Sequence, residues 1–244
     1  MAERWIDNRN NVLLVAALLL ALAIVVGGYL LGDGLRRARM AERSVTVRGL
    51  AERNVTADLA TWTIAYSEQG TELGPVQNAV DEKSKAVRAF MKKMGFADRD
   101  LSDAGASVNQ FYDSNRGQNS VTVRQRIQLR TNDVMKAKAA FARQAELIRG
   151  GVALEEGSGM VYSFTRLNDI KPPMIAEATR NARESARQFA RDSGTAVGGI
   201  RQATQGYFSI AARDGDVDGE GGSSAGDSPF QKVRVVTTVD FYLG

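Results

Sequence analysis

Few residues in this chain invite a chemical reading. Asp214-Gly215-Asp216-Val217-Asp218-Gly219-Glu220 follows the D-x-D-x-D-G opening of a calcium loop. Such a loop takes oxygen ligands from positions 1, 3 and 5 and turns sharply at a Gly in position 6. Position 12, where a bidentate Glu belongs, is Ala225, and predicted strands flank the segment where an EF-hand has helices. Asp214, Asp216, Asp218 and Glu220 are thus the candidate metal ligands, set against the plainer reading of residues 213–228 as an acidic, flexible, solvated loop. Glu155-Glu156 is a carboxylate pair, but it lies beside Gly-rich turns without the apolar burial that raises a catalytic pKa.

The chain contains no His and no Cys. Triads of the Ser-His-Asp or Cys-His type, disulfides and thiolate-ligated metals are therefore excluded, and the commonest general base is missing. No P-loop and no G-x-G-x-x-G element is present. These observations predict a protein that is not an enzyme and carries no cofactor. The net charge of +4 is a mild excess spread over particular faces rather than a basic tail, so nucleic acid is not the expected partner.

The excess charge sits in two arrays. Val121, Val123, Gln125, Ile127 and Leu129 alternate with Thr122, Arg124, Arg126, Gln128 and Arg130, which is a strand with one core face and an arginine ladder on the other. Arg180, Arg183, Arg187 and Arg191 line one side of a predicted helix. Both arrays read either as solvated faces or as an interface or lumen lining.

The elements that must position these residues follow from periodicity. Strands are predicted at Ser44–Gly49, Val55–Tyr66, Ala106–Tyr112, Val121–Arg130, Gly159–Leu167, Gly199–Ile210 and Val233–Leu243. Helices are predicted over Glu72–Met94, with Thr71 as N-cap and Gly95 as terminator, and over Asp133–Arg149, ended by Gly150-Gly151. A third opens at Pro172-Pro173 and ends at Gly194; its apolar side is Ile175, Ala178, Ala182, Ala186, Phe189 and Ala190. The predicted fold is α+β, a mixed or antiparallel sheet covered by about three amphipathic helices over residues 44–244.

In front of that domain lies Val12–Leu31, wholly uncharged and long enough as a helix to span the ~30 Å of a bilayer core. It is longer than a signal-peptide core and leads into Tyr29-Leu30-Leu31, a poor cleavage site. The chain is accordingly divided into an N-terminal flank at 1–11, a transmembrane anchor at 12–31 that meets membrane lipid, a juxtamembrane linker at 32–43 and the α+β domain. Ala16, Ala17, Ala21, Ala23, Gly27 and Gly28 are small enough for anchor helices to pack closely. Arg36, Arg37, Arg39 and Arg43 make the C-terminal flank the more basic one, which by itself places the domain in the cytoplasm.

A set of segments gives a resemblance: SVTVRGLAERNV at the start of the domain, KKMGF before DLSDAGASV, VTVRQRIQLR, SFTRLND before an Ala- and Arg-rich helix ending in DSG, and VVTTVDFYL at the end. In order and spacing these resemble the SIMPL domain (DUF541) family over about residues 43–244. Ala57-Asp58 stands where the family often has Pro-Asp, Asp103 where Thr is usual, and the loop Arg213–Ser228 is longer and more acidic. The resemblance implies a bacterial envelope protein, single-pass in the inner membrane with its C-terminal domain in the periplasm, against the charge rule. It also implies a ring- or channel-like homo-oligomer, a loose link to envelope stress and no catalytic residues. The alternative is a monomeric or dimeric envelope module that binds a protein or ligand.

Overall fold

The computed structural model describes residues 2–41, 43–114, 117–214 and 225–244. Helix α1 (Ala2–Ala41) is continuous, so residues 32–41 of the juxtamembrane segment are helical. Within it Ala16–Gly34 is long and apolar enough to cross a membrane, a test that a signal sequence also passes, and none of that window is buried. After α1 come β1 (Ser44–Thr56), β2 (Leu59–Gly70), α2 (Leu73–Lys93), β3 (Leu101–Asp113) and β4 (Gln118–Thr131). Then follow α3 (Val134–Ala142), α4 (Ala145–Arg149), β5 (Gly159–Ser163), α5 (Leu167–Asp192), β6 (Val197–Gln205), β7 (Ser209–Ala212) and β8 (Phe230–Leu243).

The chain divides into two units. The first comprises Met1–Leu50, Ile175–Gly206 and Val236–Gly244; the second comprises Ala51–Met174 and Tyr207–Val235.

In the second unit the strands run β3-β4-β2-β5, with each neighbouring pair antiparallel. The alternation read from β4 is realised: Val121, Val123, Ile127 and Leu129 are buried, and Arg124, Arg126 and Arg130 are exposed. Opposite them β2 buries Trp62, Ile64 and Tyr66, and α2 closes the core with Val76, Val80, Val87, Phe90 and Met91. Trp62 sits edge-on to Phe90 and Phe141, at centroid distances of 6.2 and 5.3 Å. Ser84 donates to the Val80 carbonyl, so the buried Tyr66 hydroxyl donates to Ser84 at 2.7 Å. Beside β8, β7 pairs antiparallel over Ser209–Ala212.

In the first unit β8 lies between β1 and β6. Its core is small: Val45, Ala182, Ala186, Val239 and Phe241 are buried together. The helix approaches so closely that a Cβ on Gly49 would meet the Ala178 carbonyl oxygen at 1.8 Å and the Ala182 nitrogen at 2.6 Å. Only a glycine fits at that position.

Several boundaries differ from the sequence-based expectation, each for a local reason. Helix α2 starts after Glu72, which makes no side-chain cap, so Thr71 is not the N-cap. Its C-terminus is as expected: Gly95 at φ +86° lets Phe96 N–H reach the Met91 carbonyl at 3.0 Å, a Schellman ending. The Asp133–Arg149 helix is two helices, α3 and α4, interrupted at Arg143-Gln144, with Asp133 accepting from Lys136 N–H as the cap of the first. Helix α5 starts at Leu167, so Pro172 and Pro173 lie inside it rather than opening it. There they leave the carbonyls of Asn168 and Asp169 without the usual helical donor. Phe189 is exposed, not part of the apolar side, and Met174 takes a buried place on α5. The single strand expected over Val55–Tyr66 is broken at Ala57-Asp58, where the Asp58 carboxylate accepts from Thr165 N–H at 2.8 Å and Arg166 Nε at 3.2 Å.

Candidate functional site

The outward face of the second unit's sheet carries a polar basin. Its floor is built by register. Arg126 stands between Ala65 of β2 and Gly105 of β3, and Arg124 between Ser67 and Ser107. Small neighbours on either side of two long arginines leave a hollow of about 560 Å³, walled by Glu155, Glu156 and Gly157. A bulge between Asp103 and Gly105 shifts the register of β3 at the edge of this hollow.

The wall is fixed by backbone chemistry. β5 pairs with β2 only as far as Thr63↔Gly159, which leaves the next outward-facing residue, Ala65, without a strand partner on that side. The loop supplies one. Ala65 N–H donates to Ser158 Oγ at 2.9 Å, and the Ala65 carbonyl accepts from Ser158 Oγ at 3.1 Å and from Glu155 N–H at 2.8 Å. Glu155 is thereby held over the sheet, where Ser67 Oγ donates to its Oε1 and Arg124 Nε donates to its Oε2 at 2.7 Å. These two bonds, the serine's first and the arginine's second, hold the Glu155 pKa below its ordinary value against the opposing effect of burial. A carboxylate so stabilised is ionised at neutral pH and is a poor general base, since a base works best with a pKa near the operating pH. The site is suited to binding and positioning charge. Arg126 has no ion-pair partner among the described residues, so the basin offers one locked guanidinium and one open one.

The other predicted residues are dispersed. Arg130 pairs across to Thr61 at the far end of the ladder and does not line the basin. On α5, Arg183 stacks over the Phe241 ring at 5.6 Å, while Arg187 and Arg191 lie 3.5 and 3.7 Å from Glu184. Arg180 is exposed. Of the metal candidates, Asp216, Asp218 and Glu220 lie outside the described residues, and Asp214 is exposed at the end of a described stretch. No group of three or more potential metal ligands occurs among the described residues. On α1, Ala16, Ala17, Ala21, Ala23, Gly27 and Gly28 are all exposed.

Sequence reasoning missed the role of Glu155, which its Gly-rich surroundings made look free, and of Ser67 and Ser158, whose contact with Ala65 and Glu155 depends on register across two strands. The only local hint was the serine at 158 between two glycines.

A sequence model of the SIMPL family, described as a protein of unknown function (DUF541), matches residues 45–241. The chain belongs to the SIMPL family. No curated protein matches it. The SIMPL match takes in both units from β1 to β8 and includes every residue of the basin.

Proposed function

We propose that this SIMPL protein is a membrane-anchored envelope protein that works by self-assembly and binding, without catalysis. One observation carries the reading: a SIMPL domain follows directly on a helix whose Ala16–Gly34 segment is apolar, unburied and of membrane-spanning length. Tethering copies to one membrane raises their effective concentration and favours contacts between domains. The placement is the bacterial inner membrane with the domain in the periplasm, in a ring- or channel-like homo-oligomer active in the response to envelope stress. The depressed pKa of Glu155 and the absence of His support the non-catalytic part.

The test is the mass of the detergent-solubilised full-length chain by light scattering, with a reporter fused after Gly244 to read topology. A monomer of 26.4 kDa excludes self-assembly. A reporter active only in the cytoplasm excludes the periplasmic placement. The basin favours a second reading, an envelope module that binds an anionic group at Arg126. In that case Arg126→Glu abolishes binding while leaving the mass unchanged.

A further inference from the structure

Sheets expose edges, and soluble proteins blunt them with charge, bulges, Pro or short length. This molecule does so at most of its edges. β6 has two register shifts, two adjacent glycines and Arg201. β5 is only 5 residues long, and β1 carries Arg48, Glu52 and Arg53. β3 is the exception. It is 13 residues long, and among the described residues it pairs on one side only, with β4, its one bulge lying at its start. From Ala104 to Tyr112 it holds no charge and no Pro. Both of its faces are exposed from Ser102 to Tyr112, including Val108 at 54%, Phe111 at 52% and Tyr112 at 64%.

The strand is also lopsided in a way that matches itself. Its first half is small, Ala104-Gly105-Ala106-Ser107, and its second half is large, Gln110-Phe111-Tyr112. Reversing a second copy beside it sets small against large. Centred on Asn109, antiparallel pairing places Ala106 opposite Tyr112 and Ser107 opposite Phe111. Centring on Val108 would instead set Phe111 and Tyr112 against Gly105 and Ala104, at the bulged start of the strand where the register is broken.

We propose that β3 is the contact between two copies of this chain, an antiparallel β3–β3 pairing about a two-fold axis at Asn109 that joins two sheets into one. This rests on the self-assembly reading above and names its surface: the uncharged strand edge, rather than the arginine arrays. An isologous contact of this kind closes as a dimer, and a larger ring built from such dimers needs a second, different interface.

The chain has no Cys, so an introduced thiol can pair only with its copy in another chain. Directly opposed strand residues lie within disulfide reach. In the full-length solubilised protein, Asn109→Cys should give a disulfide-linked dimer on mild oxidation, and Ala203→Cys on β6 should not. Ala106→Cys and Tyr112→Cys should cross-link when mixed and far less when alone. Asn109→Lys with Gln110→Lys, both at exposed positions, should lower the mass at least to half. A wild-type monomer would overturn the self-assembly reading and this contact together. An assembled wild type with no cross-link at residue 109 and an unchanged mass for the lysine variant would overturn the β3 contact alone.

Discussion

Both units set a helix against a sheet, and they fill the space between with side chains of opposite size. In the second unit Trp62, Tyr66, Phe90 and Met91 interdigitate, and in the first Ala178, Ala182, Ala186 and Ala190 bring α5 down onto Gly49. Large side chains give contact area by reach; small ones give it by letting backbones approach. The first kind of interface fails when volume is lost. The second fails when volume is added, because what lies in the way is backbone and cannot rotate aside.

The largest effect should come from removing volume in the second unit. Trp62 is fully buried between two aromatic rings, so Trp62→Ala leaves a large cavity and forfeits both edge contacts. A loss of about 3–5 kcal/mol is expected, read as a lower guanidinium midpoint. Refilling with Phe should recover part of it. A Trp62→Ala variant as stable as wild type would mean that the aromatic core is not the main support of this unit.

The complementary test adds a single methyl to the first unit. Gly49→Ala would put a carbon 1.8 Å from the Ala178 oxygen, so α5 must move. The expected cost is about 1–3 kcal/mol, large for one methyl. Gly199→Ala in the same unit meets nothing within 4 Å and should change stability by only about 0.5 kcal/mol. If the two substitutions melted alike, the contrast between the interiors would collapse.

The same contrast explains what was legible in the sequence. β4 and the buried stripe of α2 announce themselves by alternation and helical spacing because one face of each meets large neighbours. Gly95 announced a helix end because only a glycine accepts its φ readily. β3 gave a weak signal because it is an edge strand exposed on both faces, and no burial imposes a period on it. The early start of α5 was hidden by Pro172-Pro173, whose usual place is the first turn. The ladder arginines were visible, but not that Arg124 is locked and Arg126 open. That depends on Ser67, Ser158 and Glu155, which β-pairing brings together from distant parts of the chain.

Charge sharpens the comparison further, since the second unit fastens its turns with ionised carboxylates. Burial raises the pKa of Asp58, but hydrogen bonds from Thr165 N–H, the Thr165 side chain and Arg166 outweigh it, and the net shift is downward. Glu155 is shifted the same way. A carboxyl with a lowered folded pKa contributes stability that is present above its unfolded value and lost as pH falls through the folded one. The window therefore opens at about pH 4 and extends below it. Asp58→Asn should lower the melting temperature at pH 7 by about 2–4 °C and lose less than wild type on acidification to pH 3. Parallel melting curves for the two proteins across that range would refute the assignment.

The smallest effect tests whether the basin's wall depends on one hydroxyl. Ser158 stands in for a missing strand by accepting from Ala65 N–H and donating to its carbonyl. Ser158→Ala leaves the N–H of the buried Ala65 without its acceptor, for an expected loss of about 1 kcal/mol. The aromatic core beneath stays packed, because Trp62, Ile64 and Tyr66 point to the opposite face of β2. The change should therefore appear as local opening. Hydrogen exchange at Ala65 and at Glu155, whose N–H bonds the same carbonyl, should accelerate about fivefold while exchange at Ile64 and Ile127 stays at the wild-type rate. Faster exchange at all four positions would mean that the wall and the core open together, and that the basin is an extension of the aromatic core rather than a separate, weaker layer upon it.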